Sequence, residues 1–215
     1  MKEPNEYART VFVNCPFDDE YQVLFEAIIF SILSCGFLPR CAKESMDSDD
    51  VRINKIISII KESKYGIHDL SRVEFSSDSQ LPRFNMPLEL GIFIGCQKYG
   101  GEIHKQKKYL ILDKEQYRFK RFISDISGQD IRGHDNNPEA IISNVREWLA
   151  HVSKKKTPGP NFHIGRYKMF RQELLDRCKK YEWDYDNLTF NEYTILIDEF
   201  NDDKTLEILN TEIAN

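Results

Sequence analysis

The chemistry in this chain centres on one carboxylate. Phe84-Asn85-Met86-Pro87-Leu88-Glu89-Leu90-Gly91 reads as the opening of a helix, with Glu89 in its first turn. A carboxylate so placed can face a ribose, accept hydrogen bonds from its hydroxyls, and either attack the anomeric carbon or stabilise an oxocarbenium-like transition state, with departure of a base as the outcome. An acidic residue in a first helical turn also simply complements the helix dipole. Asp69 closes a β-rich run and either orients the same ribose or caps the following turn. Arg72 can hold a phosphate with two hydrogen bonds or form a surface ion pair, and Arg40 and Arg52 are similar cases. Asn14, Pro16 and Phe17 form a loop after the first strand, where Phe17 either stacks on a base or joins the core; Asn85 and Met86 stand beside them as substrate-binding candidates. Asp18-Asp19-Glu20 reads as a helix cap rather than a metal site, and no metal ligand set is expected. His134-Asp135 is an acid-base pair or, more blandly, a polar loop.

The positions of these residues follow from a strand-helix alternation. Thr10 to Phe17 is a β-rich run, followed by a helical pattern over Glu20 to Ser34. Leu38 to Ala42 offers a second strand; Val51 to Ser63 is a helix with Ile53, Ile56, Ile57 and Ile60 on one face. Tyr65 to Leu70, Lys108 to Asp113 and a weak Gln129 to Arg132 supply three more strands, interleaved with helices over Pro87 to Tyr99, around Phe119 to Ile126, and over Pro138 to Val152. Five strands alternating with helices predict an α/β fold, a parallel sheet with helices on both faces in flavodoxin-like order. Ligands of such sheets bind outside the carboxyl ends of the strands, which brings the segments Asn14 to Asp19, Glu44 to Arg52, Asp69 to Glu74, Asn85 to Glu89, Asp113 to Gln116 and Arg132 to Asn137 to one edge.

Composition narrows the function further. The 215 residues are 40% hydrophobic and 30% charged, with a formal net charge of -5, which disfavours a clamp on a nucleic-acid backbone. The apolar stretch Tyr21 to Leu33 is too short to span a bilayer and reads as a buried helix. The first residues lack the pattern of a signal peptide, and the five cysteines lack any Cys-x-x-Cys pair, so a cytoplasmic protein with reduced thiols is expected. Phosphate-loop, dinucleotide-turn, nucleophile-elbow and zinc-helix motifs do not occur. Lys154 to Asn161, with two prolines and a glycine in a basic run, reads as a linker. It divides a core domain over 1–153, the part in which the nucleotide site is expected, from a helical C-terminal region over 162–215. That region shows one amphipathic helix through Tyr167, Phe170, Leu174 and Cys178 and two more over Phe190 to Phe200 and Thr205 to Ile213. So small a tail is expected to dock on the core or on a partner.

In order and spacing, the series V-F-V-N-C-P-F-D-D-E-Y from Val11, C-G-F-L-P-R-C-A from Cys35, I-H-D-L-S-R from Ile67 and N-M-P-L-E-L-G from Asn85 resembles the nucleoside 2-deoxyribosyltransferase-like and Toll/interleukin-1-receptor-like (TIR-like) group of bacterial proteins. The resemblance spans about residues 10 to 150 and implies a flavodoxin-like fold. It implies that Glu89 acts on the N-glycosidic bond of a nucleoside or of NAD, and that Asp69 and the Asn14, Pro16, Phe17 loop lie near the bound nucleoside. The helical tail is foreign to the small transferases and more like accessory regions of defence or signalling proteins with TIR-like domains. The expected function is therefore cleavage of the base-ribose bond of NAD or a related nucleotide, with NAD as substrate and no resident cofactor. The alternatives are a non-catalytic nucleotide sensor and a deoxyribosyltransferase. A homo-oligomer, and a protein partner on the C-terminal helices, are expected as well.

Overall fold

A computed structural model describes residues 4–44, 51–73 and 83–213. Five strands, β1 (Thr10–Asn14), β2 (Leu38–Arg40), β3 (Tyr65–Asp69), β4 (Lys108–Asp113) and β5 (Ile131–Gly133), form one sheet in the order β2-β1-β3-β4-β5. Every pairing is parallel, with Asn14 opposite His68 and Asp69 opposite Leu112. The helices are α1 (Pro4–Tyr7), α2 (Gln22–Ser34), α3 (Arg52–Glu62), α4 (Asn85–Tyr99), α5 (Glu102–Lys105), α6 (Pro138–Ser153), α7 (Pro160–Tyr181) and α8 (Phe190–Ile213). The α/β architecture and flavodoxin-like strand order are those the alternation predicts.

Because both faces of a parallel sheet are covered, all five residues of β1 and of β3 are buried. Strand alternation sorts them. Val11, Val13, Tyr65, Ile67, Leu110 and Leu112 meet α2 and α6, whereas Phe12 packs with Phe93 of α4 and with Ile56, Ile59 and Ile60 of α3. Gly66 lies on the α4 face, where a Cβ would come within 2.8 Å of both His68 Nε2 and the Phe93 ring. The residue type is fixed there by the closeness of α4.

Helix α2 is buried from Leu24 to Ile32 without a break, which requires cover on its outer side as well. The tail supplies that cover. Phe30 lies 5.2 Å from the Tyr167 ring, 5.5 Å from Phe170 and 6.2 Å from Phe200, so α7 and α8 share one apolar cluster with α2, α6 and the sheet. Glu26 of α2, pushed up by burial and pulled back by Arg171, forms an ion pair with that α7 guanidinium.

Several expectations are corrected. The linker is a short loop, 154–159, and α7 begins at Pro160. The two helices expected after residue 190 are one, α8. Ile59 rather than Ile53 or Ile57 completes the buried face of α3. The stretch around Phe119 to Ile126 forms two 3₁₀ turns, Arg118–Arg121 and Ser124–Ile126, instead of a helix. Among the described residues no helix is long and apolar enough to cross a membrane.

Candidate active site

Glu89 is the fifth residue of α4, since the helix starts at Asn85 and not at Pro87. Its first turn holds no acidic residue, so complementing the helix dipole does not account for Glu89. The side chain lines a surface cavity of about 380 Å³ at the carboxyl edge of the sheet, together with Asn14, Pro16, Phe17 and Arg52. Burial pushes the Glu89 carboxyl up to about 7, against the opposing pull of the Arg52 guanidinium. A carboxyl titrating near neutrality in a cavity is equipped to exchange a proton or to meet a developing positive charge.

The carboxyl end of β1 fixes the helix that carries it. Asn14 Nδ2 donates to the Met86 carbonyl at 2.8 Å and lies 3.0 Å from His68 Nδ1. As Nδ1 accepts this contact, the neutral His68 ring carries its proton on Nε2. Burial drives His68 down to about 3, so the ring stays neutral against Phe12 and Phe93. Asn14 thereby latches α4 to the sheet. Met86 turns its side chain into the cluster of Leu70, Leu90 and Ile111, and Asn85 is exposed at the rim. Pro16 is buried in the cavity wall. Phe17 is half-buried, edge-on to Phe25 at 5.5 Å, with Lys43 Nζ 5.0 Å above its ring.

Asp69 and Arg72 do not join this group. The alternation that aims Asn14 and His68 at α4 aims Asp69 at the opposite face, where it is fully buried. There Asp69 Oδ2 accepts from the Tyr21 hydroxyl at 2.6 Å and lies 3.0 Å from His134 Nε2, while Oδ1 accepts from the Ser71 amide at 2.8 Å. The Asn136 amide donates to His134 Nδ1 at 3.1 Å, leaving the ring proton on Nε2, toward Asp69. Burial alone would raise Asp69, but the contacts with His134, Ser71 and Tyr21 outweigh it and hold the carboxyl below its ordinary value. The sheet thus separates Asp69 from the ribose site expected of it; it ties β3, β5 and the turn before α2 together. His134 finds Asp69 as its acidic partner, not Asp135. Arg72 pairs with Glu20 at 2.7 Å and lies 3.7 Å from Asp18, the surface ion pair of the two readings.

Sequence reasoning missed Arg83 and left Arg52 among the undecided arginines. Both line the cavity, Arg83 with Nη1 3.1 Å from Asp18 Oδ2. Asp18 itself caps the 3₁₀ turn ahead of α2, accepting from the Tyr21 amide at 3.1 Å, as the cap reading expects. The signal for Arg52 and Arg83 was their place at the starts of α3 and α4, Arg52 opening the one and Arg83 two residues ahead of the other. Residues 45–50 and Glu74, assigned to the same edge, lie outside the described residues. Among the described residues no group of three or more His, Cys, Asp or Glu side chains is arranged to hold a metal ion. Comparison with known protein families, with characterised proteins and with solved structures finds no match to this chain.

Proposed function

We propose that the protein is an N-glycosidase-type enzyme that cleaves the base-ribose bond of NAD or a related nucleotide. The observation that carries this reading is the Glu89 carboxyl, held by burial near a pKa of about 7 in a cavity at the ligand edge of a flavodoxin-like sheet. In its ionised form Glu89 meets the positive charge that grows on the anomeric carbon as the glycosidic electron pair leaves with the base; water then forms the new C–O bond there and gives its proton to Glu89, from which it passes to solvent or to the departed base. Arg52 and Arg83 at the cavity wall suit the phosphate of a nucleotide, and a cavity of about 380 Å³ accepts one nucleoside-sized group while the rest of a dinucleotide extends outward. Asn14 positions the catalytic helix. Self-association and a protein partner on the α7–α8 surface belong to the same proposal.

The test is release of free base from NAD and from a panel of nucleotides by the purified full chain, with any activating partner supplied. Glu89→Gln keeps the shape, removes the charge, and is expected to lower the rate by about a hundredfold or more. Equal cleavage by both proteins would overturn the mechanism. Tight binding by calorimetry with no product after long incubation would favour the nucleotide sensor.

A further inference from the structure

At the opposite end of the sheet from Glu89, the loop 154–159 and the start of α7 close a second cavity of about 280 Å³ against the end of α2. Its wall is polar and unsatisfied. His163 is 1% exposed, with the Pro158 carbonyl approaching one ring nitrogen and nothing pairing with the other; the Thr157 hydroxyl and Arg166 Nε are likewise buried and unpartnered. All three residues line the same cavity. Buried polar atoms are nearly always paired, so three such atoms around one space call for something that pairs with them.

The wall also has one sign of charge. Lys155, Lys156 and Arg166 line it, and no described carboxylate does. Arg146 of α6 stands behind the loop, donating to the Thr157 carbonyl at 2.5 Å and to the Pro158 carbonyl at 2.6 Å, which holds Thr157 in place. Lys155 Nζ donates to the Cys35 carbonyl at 3.1 Å, and Arg166 Nη2 donates to Asn201 at 3.0 Å, leaving the Arg166 Nε–H free. Gly159 caps the 22-residue α7 beside this wall; Pro160 brings no N–H and the Phe162 amide donates to the Gly159 carbonyl at 3.1 Å, so the ligand-facing groups are side chains. The Lys155 and Lys156 ammonium groups and the Arg166 Nε–H are donors only, the Thr157 hydroxyl can donate as well, and a ligand that meets cations and donors at a wall without a described carboxylate is an oxyanion.

We propose that this cavity binds the phosphate or pyrophosphate group of a small molecule, at a site separate from the Glu89 cavity. The space exceeds one phosphate, so the organic part of the ligand lies between Phe162 and the 154–159 loop. Burial first, then Arg146 and Arg166, hold His163 down to about 4, with the Pro158 carbonyl opposing, so the ring stands at the cavity wall as a neutral imidazole.

The probe is sodium pyrophosphate, titrated calorimetrically into the full chain, with the histidine ring protons followed by NMR. Saturable binding is expected at the site that the His163 ring reports, weakened about tenfold or more by Lys156→Glu and by Arg166→Gln, unchanged by Lys98→Glu on the far exposed surface, and accompanied by a shift of the ring signal that His163→Gln removes. Lys156 is exposed, so its substitution leaves the core intact and keeps the test usable if Arg166→Gln unfolds the tail. The proposal is overturned by absence of saturable binding up to about 10 mM, which leaves water as the partner of these atoms. It is equally overturned if binding survives Lys156→Glu and is lost in Arg52→Gln, which places the anion in the other cavity.

Discussion

Two buried carboxylates, Glu89 and Asp69, are shifted in opposite directions, and the difference separates the proposed reacting group from one tied into the core. Glu89 gains its proton affinity from burial, with a single opposing cation, Arg52. A rate that depends on ionised Glu89 is expected to rise with pH, with a midpoint near 7, and Arg52→Gln is expected to move the midpoint upward; initial rates across pH 5 to 9 check this. The stability consequence has a fixed sign. A carboxyl whose folded pKa lies above its unfolded value costs nothing when protonated in both states, and destabilises the fold progressively as pH rises from about 4.5 to about 7. Glu89→Gln is therefore expected to match the parent near pH 4 and to exceed its stability by about 3 kcal/mol at pH 8, measured by denaturant unfolding. Asp69 has the opposite sign: its lowered pKa contributes stability above the ordinary carboxyl range, lost as pH falls through the folded value. Asp69→Ala strands the Tyr21 hydroxyl and His134 Nε2 in the core and is expected to cost about 3–5 kcal/mol at pH 7. If Asp69 acted on substrate, the variant would instead keep its stability and lose activity.

At the scale of elements, the cavity depends on how α4 is held. Asn14→Ala removes the donor to the Met86 carbonyl and the contact with His68, and is expected to cost about 1–3 kcal/mol and to shift the pH midpoint of Glu89 as α4 loosens; thermal unfolding and the pH-rate profile read the two effects separately. Gly66→Ala pushes on the same packing from the sheet side, where the new methyl meets His68 and Phe93, and a cost of about 1–3 kcal/mol is expected. Much of this layer was legible in the chain. β4 coincides with Lys108 to Asp113, β3 ends one residue before the expected Leu70, and the unbroken apolar run of α2 announced a helix covered on all sides. The faces were harder to read. Asp69 and Glu89 share an edge of the sheet, but right-handed crossovers in the order β2-β1-β3-β4-β5 put α4 opposite α2 and α6, so the odd and even residues of β3 face opposite helix layers. His68 was expected to point away from Asp69; which of the two faced Glu89 depended on the side taken by α4. Asn201-Asp202-Asp203 read as a break between two helices because short polar side chains compete for backbone hydrogen bonds. In α8 Asp202 and Asp203 are exposed, and packing of Leu196, Ile197 and Phe200 against the core carries the helix through.

At the scale of the whole molecule, the C-terminal helices decide whether the α/β unit stands by itself. Helix α2 turns one side to the sheet and the other to α7 and α8, where Phe30 meets Tyr167, Phe170 and Phe200, and where Glu26 finds Arg171. Removing residues 160–215 would strip that outer side. Each large apolar side chain returned to water forfeits roughly 1.5–3 kcal/mol, and Phe30 is only one of those α2 would expose. Glu26 would lose the Arg171 guanidinium in the same step and regain solvent. Against a net stability that for most domains is about 5–15 kcal/mol, such a loss leaves no margin. A chain ending at residue 159 is therefore expected to show no cooperative thermal transition and to bind a hydrophobic dye, while the full chain unfolds in one step. Phe170→Ala in the full chain probes the same interface gently, with an expected cost of about 3–5 kcal/mol and a lowered midpoint. A truncated chain that melts within a few degrees of the full one would instead make the tail an appendage, and would free α2 to receive another partner on the face that α7 and α8 now cover.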